Sequence, residues 1–151
     1  MIKKLLLTIF LGVVAFANPL TVNNSVPELK IKDQFEKEHT LDSNVKTIIF
    51  SATKDENNTI KEFLNSKGND FLTTNHVVYV ADITGMPSLI TKFIALPKMK
   101  NYSFPILLID EENKVLFPVE KDKITIITLD NSKITDVKYI KTAEDLAATF
   151  K

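Results

Sequence analysis

The hydrophobic positions of this chain fall into blocks whose spacing changes from one element to the next. In ELKIKDQF they alternate, which predicts a short edge strand over residues 28–32. The charged stretch DQFEKEHTLDS follows as a loop or hairpin. KTIIFSA is apolar without alternation, the pattern of a strand buried on both faces of a largely parallel sheet. NNTIKEFLNSKGNDFL then spaces Ile60, Phe63, Leu64 and Phe71 as a helix would, with Gly68 as a stop signal. HVVYVADI predicts a second buried strand. TGMPSLITKFIAL predicts a helix, with Thr84 or Ser88 near its cap and Pro87 in its first turn. Leu89, Ile90, Phe93 and Ile94 form its apolar face.

LPKMKNYSF reads as a loop, and PILLIDEENKVLFPVE as strand, turn and strand around DEEN. KITIITLDNSKITDVKYI is a hairpin turning at DNSK. TAEDLAATF is a closing helix, with Thr142 as its N-cap and Asp145 three residues on to complete a capping-box pair. Strands and helices alternate early and hairpins come late. The fold class is therefore α/β, a central mixed β-sheet flanked by helices, with C-terminal hairpin strands and a final helix.

The first residues follow a different rule. Lys3 and Lys4 precede an apolar run over residues 5–16, and Ala15 and Ala17 supply a small-x-small cleavage pattern. The run is shorter than the about 20 residues a membrane-spanning helix needs. The expectation is a cleavable signal peptide over residues 1–17, cut after Ala17, and export to the periplasm, with no membrane attachment afterwards. A polar, turn-rich stretch over residues 18–27 then reads as a flexible lead-in to a single domain over residues 28–151.

Composition narrows the chemistry. The chain has no cysteine, so in an oxidising compartment it is held together by its core alone. Formal net charge is +0, every basic residue is lysine, and no basic stripe suggests nucleic acid. Beyond the leader the only glycines are Gly68 and Gly85, too few for a dinucleotide fingerprint or a phosphate-binding loop. No cofactor is expected. His39 stands beside Glu36 and Glu38, a weak set for a metal, and none is expected. His76 precedes a strand, and Asp82 ends one at the sheet edge where α/β proteins place ligands.

From residue 46 to residue 116 the chain resembles the thioredoxin-like superfamily. TIIFSA is similar to the strand before that family's active-site turn. With Phe50, Ser51 and Ala52 laid on the family's aromatic–aromatic–alanine run, Asp55 and Asn58 fall where the two cysteines stand. SFPILLID resembles the family's cis-proline segment, with Pro105 as the proline and Phe104 before it. The resemblance implies a thioredoxin-like fold without its redox chemistry, because exchange needs a thiolate and a resolving sulfur. Asp55, Asn57 or Asn58 would instead cap the following helix. A fainter likeness to the cysteine-free periplasmic YtfJ-type family rests on Thr84-Gly85-Met86, Phe104-Pro105 and Asp110.

These residues point to a redox-inactive peptide- or protein-binding module. The resemblance implies a cis-proline groove of Thr53, Lys54, Asp55, Asn58, Phe104 and Pro105 that holds an extended peptide or an envelope protein. Phe93, Leu96, Met99 and Tyr102 form a candidate interaction patch around the following loop. The alternative is a non-redox enzyme with Asp55, Asp82 or His39 in acid–base roles, which requires at least two such groups to converge in one pocket.

Overall fold

A computed structural model describes residues 19–151. The expected leader lies outside the described residues. Strands β1 (Leu29–Lys32) and β2 (Glu38–Leu41) pair as an antiparallel hairpin. The central sheet begins with β3 (Thr47–Ser51), β4 (Val77–Asp82) and β5 (Leu107–Ile109), which run parallel. Antiparallel to β3 lies β6 (Ile124–Asp130), and antiparallel to β6 lies β7 (Lys133–Ile140). The strand order is β5-β4-β3-β6-β7, a mixed five-stranded sheet.

The unbroken apolar run of β3 has a direct cause. Successive side chains point to opposite faces, and both faces are covered. Ile49 joins Ile60, Phe63 and Leu64 of helix α1 (Lys54–Lys67) and Leu146 of the C-terminal helix. Ile48 and Phe50 join Ile31 and Leu41 of the hairpin and Phe117, whose ring stacks on Phe50 with centroids 4.8 Å apart. Gly68 ends α1 at φ +86, a backbone conformation that side chains with a Cβ rarely adopt. A single helical turn, α2 (Phe71–Thr74), leads into β4. The turn between β6 and β7 places Asn131 and Ser132 at φ 47 and 67, both left-handed, as a two-residue hairpin loop demands.

Helix formation after β4 departs from expectation. Residues 88–99 are helical throughout, as α3 (Ser88–Ile90), a π-turn (Thr91–Ala95) and α4 (Leu96–Met99). Pro97 has no N–H to give to the ladder, and Leu96 N–H reaches back five residues to Thr91 O. The wider turn shifts which side chains face inward. Leu96 and Met99 pack on the core, whereas Leu89, Ile90, Phe93 and Ile94, the apolar face of the helix, are 70%, 44%, 66% and 61% exposed.

Two further expectations are corrected. LFPVE is not a strand: a 3₁₀ turn (Lys114–Leu116) follows β5, and Leu116 O accepts from Leu20 N–H. Nor is the lead-in loose. Leu20 and Val26 are buried on the hairpin side of the sheet, Ser25 bridges Lys133, Asn23 N–H donates to Ile134 O, and Ile134 N–H donates to Asn24 O. Two apolar residues in a polar stretch suffice to dock it. The closing helix α5 (Ala143–Thr149) carries the expected capping box between Thr142 and Asp145. Among the described residues no helix is long and apolar enough to cross a membrane.

Candidate functional site

β3 and β4 end side by side, with Ser51 paired to Ala81. The chain then leaves β3 through Ala52 and Thr53 into α1. Thr53 is the N-cap: its hydroxyl accepts from Glu56 N–H at 3.3 Å, and the buried Glu56 carboxylate accepts from Ala52 N–H at 2.7 Å and from Thr53 N–H at 3.3 Å. The capping duty expected of Asp55, Asn57 or Asn58 therefore belongs to Thr53 and Glu56. Sequence reading missed this pair, although T-x-x-E is itself the signature.

Asn57 is freed for another task. Tyr79, fully buried on β4, donates its phenol proton to Asn57 Oδ1, and its oxygen lies 3.0 Å from Ser51 Oγ. Burial pushes the Tyr79 phenol well above its ordinary range. It stays protonated, and Ser51 supplies the second proton of the chain. With its carbonyl oxygen engaged, Asn57 has its amide nitrogen left to offer as a donor.

These residues border a cleft of about 570 Å³ at the carboxyl ends of β3 and β4. One wall is the first turn of α1, with Thr53, Lys54, Asn57 and Asn58. The other is the helix over residues 88–99, with Ile90, Ile94 and Lys98. Met99 and Tyr102 close the inner side, and residues 82–86 close the end. Asp82 Oδ1 accepts from Thr84 N–H at 2.9 Å and Thr84 Oγ1 at 2.6 Å, which pins the loop. Lys114 enters the rim from the segment after β5 and bonds Glu111 at 2.9 Å; that bond, first of all, raises its pKa.

No family model matches this chain. No curated protein sequence matches it. Solved structures do. StoA from Bacillus subtilis superposes with a TM-score of 0.57 at 15% identity, over 85% of this chain and 100% of that one. The thioredoxin domain of a thiol-disulfide oxidoreductase from Bacteroides vulgatus gives 0.54 at 18% identity, over 87% and 96%. Peroxidoxin BcpB from Mycobacterium tuberculosis gives 0.53 at 17% identity, over 85% and 92%. The fold is thioredoxin-like. At such identities the likeness shows the fold alone, and this thioredoxin-like chain carries it without a cysteine. The YtfJ-type likeness finds no counterpart among family models or curated proteins.

The expected groove divides between two ends of the thioredoxin-like sheet. Thr53, Lys54 and Asn58 line the cleft, while Asp55 is exposed outside its lining. Pro105 does not face them. It precedes β5, which runs parallel to β4, so it sits at the amino end of the strands, whereas residues 53–58 follow the carboxyl end. Its peptide bond is trans. Pro105 lines a separate cavity of about 240 Å³ together with His39 and His76. The strand that opens beside the α1 turn is β6, entered through Asp122 and Lys123, because Thr125 pairs with Phe50. Phe104 is buried under Tyr102 and Tyr79, with ring centroids 5.5 and 6.3 Å away.

The expected patch also divides. Met99 is buried, Leu96 and Tyr102 are half-buried against the core, and only Phe93 is open to solvent, on the outer side of the helix. The acid–base residues lie apart. His39 Nε2 is 2.6 Å from the buried Asp33 carboxylate on the hairpin, Glu38 pairs with Lys30 at 3.6 Å, and Asp82 is on the cleft.

Proposed function

We propose that this thioredoxin-like protein is exported to the periplasm and acts there as a redox-inactive binding module, whose cleft holds a peptide or a segment of a partner protein. One observation carries this reading: the apolar side chains Leu89, Ile90, Phe93 and Ile94 stand exposed on a helix that also forms one wall of the cleft. Full burial of a large apolar side chain is worth about 1.5–3 kcal/mol, so leaving four of them in water is costly unless something covers them. Opposite stands a wall of hydrogen-bond donors, Asn57 and Lys54, able to orient a backbone or a polar group. A concave apolar surface with a few placed polar groups is the usual composition of a recognition site.

The test is an amide-resolved NMR titration with extended peptides of mixed composition. Binding in the cleft moves the signals of Asn57, Gly85, Met86 and Ile94 and leaves His76 and Pro105's neighbours still. Millimolar peptide without such shifts refutes the reading. Export is tested separately by N-terminal sequencing of the envelope form, expected to begin at Asn18.

A further inference from the structure

The cleft and its apolar ridge are not electrically neutral. Between Asp82 and Asp110 the chain carries Lys92, Lys98 and Lys100 and no acidic residue, in a protein whose formal net charge is +0. Lys98 lines one wall of the cleft and Lys54 the other, and among the described residues neither makes an ion pair. Asp55 stands exposed beside Lys54 but outside the cleft lining, and three other acidic side chains nearby are held in place. Asp82 is bonded to Thr84, Glu56 to the backbone at Ala52 and Thr53, and Glu111 to Lys114. Lys92 lies over the exposed ring of Phe93, with Nζ 5.5 Å from its centroid, so the cation and the apolar surface are presented together.

We infer that the occupant of the cleft is an acidic segment of another protein that also carries aliphatic or aromatic side chains; this rests on the binding-module reading above. Its apolar side chains lie against Ile90 and Ile94 and extend over Leu89 and Phe93. Its carboxylates meet Lys54 and Lys98. A small amphiphilic acid would fill the cleft and leave Leu89 and Phe93 in water, so the occupant is larger than the cleft. A flat anionic membrane would cover Leu89 and Phe93 but would not fill a concave space bordered by Asn57 and Met99. A macromolecular segment satisfies both surfaces.

The experiment compares two ten-residue probe peptides of leucine and serine, one bearing glutamates and the other lysines at the same positions. Each is titrated into the labelled protein recovered from the envelope. The glutamate peptide is expected to shift Asn57, Met86, Leu89 and Ile94 and to bind at least about tenfold more tightly than the lysine peptide at low salt. That ratio shrinks as ionic strength rises past the point where the Debye length falls to about 10 Å. The double variant Lys54→Glu/Lys98→Glu, both sites exposed, is expected to reverse the preference while its remaining amide spectrum is unchanged. Equal binding of the two peptides overturns the charge inference and leaves the cleft reading standing. No cleft shifts with either peptide at millimolar concentration overturns both. Decanoate that shifts the cleft but not Leu89, more tightly than the glutamate peptide does, assigns the site to a small amphiphile and overturns the inference. So does tighter binding to phosphatidylglycerol vesicles.

Discussion

Replacing Gln34 by alanine removes one side chain and three hydrogen bonds at once. Gln34 is buried at the end of the β1–β2 hairpin; its Nε2 donates to Met99 O at 3.2 Å and Phe104 O at 2.8 Å, and its Oε1 accepts from Ile106 N–H at 2.7 Å. It thereby ties the hairpin to the segment that carries Met99, a residue of the cleft wall. All three partners belong to residues with at most 5% exposure, so water does not readily replace the lost bonds. An orphaned buried group costs about 1–3 kcal/mol, and an unpaired N–H is harder to tolerate than a carbonyl with a second lone pair. Met99 O keeps the N–H of Tyr102 at 3.1 Å, so assigning about 2–3 kcal/mol to Ile106 N–H and about 1 to Phe104 O gives a loss of roughly 3–4 kcal/mol. With a urea m-value near 1.5 kcal/mol/M, that lowers the unfolding midpoint by about 2–2.5 M. Urea denaturation followed by far-UV circular dichroism measures it.

The Gln34→Glu variant sharpens the test. A carboxylate still accepts from Ile106 N–H but meets two carbonyl oxygens where an amide donated. Burial and that repulsion raise its folded pKa above its unfolded value. Its stability is then highest below the unfolded carboxyl pKa near 4.3 and declines as pH rises through the raised folded value. A midpoint shift under about 0.5 M for Gln34→Ala, or a Glu variant whose deficit does not grow between acid and neutral pH, refutes the reasoning.

Other perturbations test single features. Thr53→Ala removes the N-cap of α1 and is expected to cost about 1 kcal/mol, a fall in Tm of about 3–5 °C by calorimetry; an unchanged Tm contradicts the capping assignment. Ser132→Gly relieves a left-handed serine in the β6–β7 turn and is expected to stabilise by about 0.5–1 kcal/mol, read as a higher urea midpoint; destabilisation contradicts it. Burial alone would raise the Asp33 carboxyl, but His39 and the N–H groups of Phe35 and Lys37 prevail and hold it below its ordinary range. Its stabilisation is therefore complete above the unfolded value near 3.9 and is lost as pH falls through the lower folded value. Asp33→Asn should flatten the acid limb of the stability–pH curve, and an unchanged slope in that window disproves the linkage.

Much of the frame was legible in residue order. The two-faced burial of β3 and β4 shows in their unbroken apolar runs, and the stop at Gly68, the Asn131–Ser132 turn and the Thr142–Asp145 cap each depend on neighbours a few residues away. Local chemistry of that kind is written in local spacing. The candidate site is a different matter. The resemblance matches Pro105 to a strand opening beside α1, yet the parallel direction of β5 puts it at the opposite end of the sheet, and strand direction has no signature in a short apolar run. Periodicity found the apolar stripe of residues 89–94 but not the side it faces, because the π-turn ahead of Pro97 turns it from the core. Gln34 reads as one more polar residue in a charged loop until it meets carbonyls 65 and 70 positions away. Residue order marked most of the strands and helices and the absence of thiol chemistry, but neither the helical turn at Leu96–Met99 nor the 3₁₀ turn at Lys114–Leu116. Which ends of those segments meet, and so which side chains share a cleft, emerges in the folded sheet alone, because contacts between distant residues are selected by packing the whole sheet and not by any local pattern.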